Sequence, residues 1–180
     1  MNRAVFLDRD GVINHAPVID GKPRSPISLE QMEFLPGVGE GISALSQAGF
    51  RIIVVTNQPD VANGVQTLEG VEAMHRRILE MFPVDAIFVC YHTNDDKCSC
   101  RKPQPGMLVA AAEEWGLSLE ESYMIGDRWR DVEAGKAAGC TTILVEADYD
   151  EPRAEPDRSV NSLLEASQLI LKNEAGLREA

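Results

Sequence analysis

Five short runs of apolar and β-branched residues, at 4–7, 51–56, 86–89, 123–125 and 141–145, recur along the chain with room for a helix between successive runs. Runs without polar alternation suit strands buried on both faces rather than strands with one wet side. The intervening stretches 37–48, 68–82, 105–115 and 132–138 carry helical patterns, the first with Val38, Ile42 and Leu45 at helical spacing. They stop near Gly49, Pro83, Gly116 and Gly139, as helix termini require. Strand and helix in alternation predict an α/β fold, a parallel sheet with helices on both faces. At 180 residues, one domain over 1–180 is expected, with a core at about 4–147 and a loop and helix over 148–180.

Two stretches break the alternation. Residues 14–31 and 91–105 are rich in proline, and both leave the carboxyl end of a strand, where open α/β sheets place their ligands. Residues 148–158 are acidic and read as loop, after which Ser162 and Glu165 have capping-box spacing for a last helix to about Lys172. Seventeen Lys and Arg against 29 Asp and Glu give a net charge of -12, which argues against broad contact with nucleic acid or anionic membrane. Any phosphate held here needs a local arrangement of donors. No run approaches the roughly 18 apolar residues that span a bilayer, so a cytoplasmic protein is expected, and nothing demands more than a monomer.

The strand ends carry the chemistry. The first delivers Asp8-Arg9-Asp10-Gly11-Val12, and two carboxylates two residues apart share a cavity only if a cation offsets their repulsion, as a magnesium ion with oxygen ligands does. A solvated acidic turn is the competing reading. The second strand ends in Thr56-Asn57, a hydroxyl and an amide able to donate to an oxyanion, and a later one in Gly126-Asp127 with Asp131 four residues on. Arg101-Lys102-Pro103 could supply positive charge to a phosphoryl group, or be an exposed basic turn.

In this order the four elements resemble the four motifs of the haloacid dehalogenase-like phosphatases, over roughly residues 4–147. The resemblance implies that Asp8 is the nucleophile and becomes an aspartyl phosphate, and that Asp10 is the acid, then the base. It implies that Thr56 orients the phosphoryl oxygens and Lys102 neutralises charge. Asp8, the Asp10 backbone carbonyl and Asp127 would hold magnesium, with Asp131 behind them. A lone Asp10 would be ionised near neutral pH, so that mechanism needs its proton held by crowding or by substrate.

Cys90, His92, Cys98 and Cys100 offer three thiolates and one imidazole, a closed tetrahedral shell for a structural zinc. A Cys98/Cys100 redox pair or unligated thiols are the alternatives, and Cys140, alone in an Ala/Gly-rich stretch, reads as core. The cysteine pattern running into Arg101-Lys102-Pro103 is similar to that of the heptose bisphosphate phosphatases and histidinol phosphatase domains of the superfamily. That resemblance implies a small phosphorylated sugar or metabolite, with D-glycero-D-manno-heptose 1,7-bisphosphate first and histidinol phosphate second, and Asn57 and Arg101 as substrate contacts. Residues 57–64, Asn-Gln-Pro-Asp-Val-Ala-Asn-Gly, depart from the family's Asn-Gln-Ser-Gly-Ile-Ala-Arg-Gly, and the loop 93–97 is shorter than usual. Arg128 and Arg130 either add charge near Asp127 or sit on the surface. His15 and His75 are expected on the surface and Trp115 in the core. A phosphate-binding module without turnover is the rival from another class, and retention of both Asp8 and Asp10 speaks against it.

Overall fold

The computed structural model describes residues 2–178. Eight strands and five helices follow one another as β1 (Ala4–Leu7), β2 (Val18–Ile19), β3 (Lys22–Pro23), α1 (Val38–Gln47), β4 (Arg51–Asn57), α2 (Leu68–Met81), β5 (Ala86–Cys90), α3 (Gly106–Trp115), β6 (Tyr123–Gly126), α4 (Trp129–Ala138), β7 (Thr141–Val145), β8 (Arg158–Val160) and α5 (Leu163–Arg178). Six of the strands form one sheet in the order β5-β4-β1-β6-β7-β8, with every neighbouring pair parallel. The expected α/β class with helices on both faces is what the chain adopts.

Residue alternation along β1 explains why the sheet is covered on both sides. Val5 and Leu7 join Ile52 and Val54 beneath α1 and α5, where Ile42, Leu45, Leu163 and Ile170 close one core. Ala4 and Phe6 turn to the other face with Ile53, Val55 and Met124, against Met107, Leu108 and Ala111 of α3 and Ala134 of α4. All four β1 residues are fully buried, so neither face tolerates a polar side chain there. Trp115 packs at the edge of this second core, partly buried as an amphipathic ring permits.

Four elements differ from the sequence expectations. The excursion at 14–31 contains the hairpin β2–β3, closed by Asp20 and Gly21, both at positive φ (53° and 71°), as a tight two-residue hairpin turn demands. The acidic tail read as loop ends in β8, a three-residue edge strand positioned when Asp157 accepts from the Thr142 amide and hydroxyl at 2.8 and 2.7 Å. Three residues, coming shortly after Pro152 and Pro156, are too short to register as a pattern. Finally, α4 starts at Trp129 rather than Val132, because Asp131 accepts from the Arg128 amide at 3.0 Å and closes the first turn. The last helix likewise runs past Lys172, to Arg178. Among the described residues, no helix is long and apolar enough to cross a membrane.

Candidate active site

Because β1 lies between β4 and β6, the carboxyl ends of these strands bring Asp8, Thr56 and Asp127 to one edge. The Asp8 amide donates to the Ile125 carbonyl at 2.9 Å, extending the ladder so that Asp8 leaves the sheet beside Asp127. Lys102 arrives from the loop after β5. Its ammonium donates to Asp8 Oδ1 at 2.8 Å and the Val55 carbonyl at 2.8 Å, and pairs with Asp131 Oδ1 at 2.6 Å. All three of its protons are therefore engaged, in a side chain only 2% exposed. Asn57 sets this lysine in place, donating to the Lys102 carbonyl at 3.0 Å and accepting from its amide at 3.1 Å. Expected as a substrate contact, Asn57 lines the cavity but commits both ends of its amide to Lys102.

Asp8, Asp127 and Asp131 each place a carboxylate oxygen within 4.8 Å of the other two, and all three residues are buried. One lysine cannot balance three buried carboxylates. Burial, then repulsion from Asp131 and Asp10, raises Asp8 to about 6 despite the opposing pull of Lys102. Burial and the neighbouring Asp8 and Asp131 likewise push Asp127 well above the usual carboxylate range. Asp127 Oδ1 is buried without a hydrogen-bond partner among the described residues. Excess buried negative charge and an orphaned oxygen fit a hard divalent cation with oxygen ligands, the donor set magnesium takes.

Asp10 sits in opposite surroundings. Oδ1 accepts from Arg9 Nε at 3.0 Å and Asn14 Nδ2 at 2.9 Å; Oδ2 accepts from Arg9 Nη2 at 3.0 Å, Ser25 Oγ at 2.8 Å and Gln58 Nε2 at 2.9 Å. Burial pushes its pKa up, but the Arg9 charge and these hydrogen bonds outweigh it and hold the carboxyl below its ordinary range. Crowding therefore does not keep a proton on Asp10. Gln58 Nε2 also donates to Thr56 Oγ1 at 2.9 Å, which leaves the Thr56 hydroxyl proton free to donate. Arg9, Asn14, Ser25 and Gln58 had no place in the sequence reading. Arg9 lay inside the acidic motif and Gln58 beside Thr56, but nothing in their spacing shows which way they turn.

His75, expected on the surface, is buried against Arg9, whose Nη1 lies 3.1 Å from His75 Nε2. An arginine can only donate, so Nε2 accepts and the imidazole is neutral with its proton on Nδ1. Burial first, and the Arg9 charge second, push its pKa down to about 4. A depressed histidine pKa stabilises the fold above about 6.5, and that contribution disappears as pH falls from 6.5 through about 4. The displacement corresponds to about 3 kcal/mol. His75→Gln, which keeps an acceptor for Arg9, is expected to flatten the stability profile across this window in denaturant melts at several pH values; an unchanged difference between pH 7 and pH 4 would contradict this. His15 is exposed, as expected.

Arg128 and Arg130 face the cavity over Asp8, which Pro23, Arg24 and Ser25 of the β2–β3 segment rim from the other side. Arg128 is paired with Glu151, and Arg130 Nε is buried without a partner among the described residues. Arg101 instead donates to Asn94 Oδ1 at 2.9 Å and the His92 carbonyl at 3.1 Å, lining a neighbouring hollow over the cysteine loop. In that loop Cys100 Sγ lies 3.1 Å from Cys90 Sγ, 3.4 Å from Cys98 Sγ and 3.2 Å from His92 Nδ1. Cys90 Sγ is 3.7 Å from Cys98 Sγ, and the cysteines are free of disulfides. Ligands at about 2.3 Å around a tetrahedral ion would stand about 3.8 Å apart, so the four side chains are grouped at close to metal-site spacing.

A HAD-hydrolase-like family model matches residues 99–166. The chain is 38% identical over 158 residues to the D-glycero-beta-D-manno-heptose-1,7-bisphosphate 7-phosphatase of Pseudomonas putida, covering 85% of this chain and 87% of that one. The enzyme of the same name from Pseudomonas aeruginosa is 40% identical over 151 residues, with 81% and 82% covered. The chain belongs to the haloacid dehalogenase-like phosphatases. Among solved structures, the D,D-heptose 1,7-bisphosphate phosphatase of B. bronchiseptica, complexed with magnesium and phosphate, superposes on this phosphatase with a TM-score of 0.81 at 33% identity, covering 96% of this chain and 99% of the other.

Proposed function

We propose that this phosphatase hydrolyses a phosphate monoester of a small sugar through an aspartyl phosphate on Asp8, with D-glycero-D-manno-heptose 1,7-bisphosphate as its substrate. The observation that carries the reading is the Lys102 ammonium shared by Asp8 and Asp131, with Asp127 beside them and Asp10 set apart among donors. Two carboxylates in opposite environments are how one site runs nucleophilic and acid–base chemistry together. The relatives' names and the magnesium and phosphate bound by the B. bronchiseptica enzyme support the substrate class.

Asp8, Asp127 and the Asp10 backbone would hold magnesium, which when bound offsets the charge of the phosphoryl oxygens and of Asp8. Asp8 attacks phosphorus; Thr56 donates to a phosphoryl oxygen, and Lys102 restrains the charge on Asp8. Because Asp10 is held ionised at rest, the proton it delivers to the leaving oxygen comes from the substrate's phosphate monoanion. Asp10 then takes a proton from the water that attacks the aspartyl phosphate, and the products are the free hydroxyl and inorganic phosphate. Arg24, Arg128 and Arg130 at the rim place guanidinium groups over the carboxylate floor in an acidic protein, where they can meet an anionic substrate. The chain acts as a cytoplasmic monomer in this reading.

Phosphate release from heptose bisphosphate anomers, histidinol phosphate and a panel of sugar phosphates, with magnesium or with chelator, tests the proposal. Magnesium-dependent preference for a heptose bisphosphate supports it, and preference for histidinol phosphate keeps the chemistry and replaces the substrate. Release from none would return weight to a binding module. Cys90, His92, Cys98 and Cys100 bind a structural zinc in the same reading, supported by their clustering as a foursome rather than as one close pair. Metal analysis is expected to give about one zinc per chain, lost in Cys100→Ser, whereas zinc-free protein with four titratable thiols would refute it.

A further inference from the structure

The acidic segment after β7 has no part in the chemistry above, yet it is tied to the site at three successive residues. Tyr149 donates its hydroxyl proton to Asp127 Oδ2 at 2.6 Å, the Asp150 amide donates to the Gly21 carbonyl of the β2–β3 turn at 2.8 Å, and Glu151 pairs with Arg128. Gly11 crowds the same carboxylate oxygen. A Cβ built on Gly11 would fall 1.8 Å from Asp127 Oδ2, so only a glycine there leaves space for the carboxylate in this orientation. Oδ2 is thus occupied and Oδ1 is left buried and, among the described residues, unpartnered. A buried carboxylate oxygen with no donor costs free energy unless a ligand meets it.

We propose that Tyr149 is a positioning residue for magnesium, its hydroxyl fixing the Asp127 carboxylate so that the unpartnered oxygen is presented to the ion. The inference rests on the magnesium site of the proposed function. Without the hydroxyl, the carboxylate can turn about its last torsion and must be ordered by the ion itself, which weakens binding while leaving every ligand present. Partners that orient metal ligands are typically worth about 10–100-fold in affinity.

The test is calorimetric titration of magnesium into the zinc-loaded full chain and into Tyr149→Phe, which deletes one hydroxyl and keeps the ring. The magnesium dissociation constant is expected to rise about tenfold or more, with the magnesium needed for half-maximal hydrolysis rising in parallel and kcat at saturating magnesium held within about threefold. Glu151→Gln controls for general loosening, since it weakens the same segment's tie to Arg128 without touching Asp127; it should move the dissociation constant less than twofold. A Tyr149→Phe constant within twofold of the parent, or an equal weakening in Glu151→Gln, overturns the role of the hydroxyl. A parent chain that binds no magnesium overturns the site reading itself, a result distinct from either.

Discussion

Asp8→Asn is expected to lower turnover by on the order of 10⁴-fold or more while leaving the fold in place. An amide is close to the same shape, and its oxygen can still accept from the Lys102 ammonium that stands 2.8 Å from Asp8 Oδ1. It also removes one of three clustered buried carboxylates, of which Asp8 and Asp131 share a single lysine, so folding stability should hold or rise. What it cannot do is donate an electron pair to phosphorus and leave again as a carboxylate. The loss amounts to about 5 kcal/mol or more of transition-state stabilisation, too large for altered substrate binding alone. Single-turnover phosphate release together with a thermal melt makes the measurement. Turnover within tenfold of the parent would exclude a covalent route and point to direct attack by water, with Asp10 as the base.

Lys102→Met is expected to cost about 3–5 kcal/mol of folding stability in chelator, as well as activity. The ammonium is almost completely buried and its three protons meet Asp8, Asp131 and the Val55 carbonyl. Methionine fills most of the volume, which isolates the charge from the packing. It leaves two carboxylates facing each other in a dry site, and removing one partner of a buried ion pair is far more damaging than replacing the pair. The double variant Lys102→Met with Asp131→Asn should recover part of the loss, because one uncompensated charge goes with the lysine. Denaturant midpoints of the four proteins give the coupling directly; a single-variant loss below about 1 kcal/mol would mean that the carboxylates simply take up protons at little cost.

The strand ends were legible because chemistry and topology coincide there. A buried run followed at once by Asp8, by Thr56 or by Asp127 fixes where each side chain leaves the sheet, and parallel pairing on either side of β1 brings the three together. The helices were legible for a related reason, since an apolar stripe of period 3.6 and a glycine stop are local signals. What surrounds the carboxylates was not legible. Ser25 reaches Asp10 across a hairpin closed by two residues at positive φ, His75 turns inward because Arg9 is buried beneath it, and Tyr149 meets Asp127 from 22 residues away. Each of these contacts depends on the path of a loop or the rotation of a helix, and neither leaves a periodic trace. The β8 strand escaped for want of length, held by Asp157 rather than by an apolar run.

The placement of β1 between β4 and β6 also says when in the life of the chain activity can arise. Val5 pairs with Ile52 on one side and with Tyr123 on the other, so the second pairing closes a loop of well over a hundred residues. Contacts that distant are late, because loop closure must be met before they return any stabilisation. On the ribosome, Asp10 emerges with Arg9 beside it, whereas Asp8 waits for Lys102 from the loop after β5 and for Asp127 and Asp131 until β6 docks. Magnesium-dependent turnover in a refolding experiment would therefore rise with the docking of β6 and lag behind the helical signal.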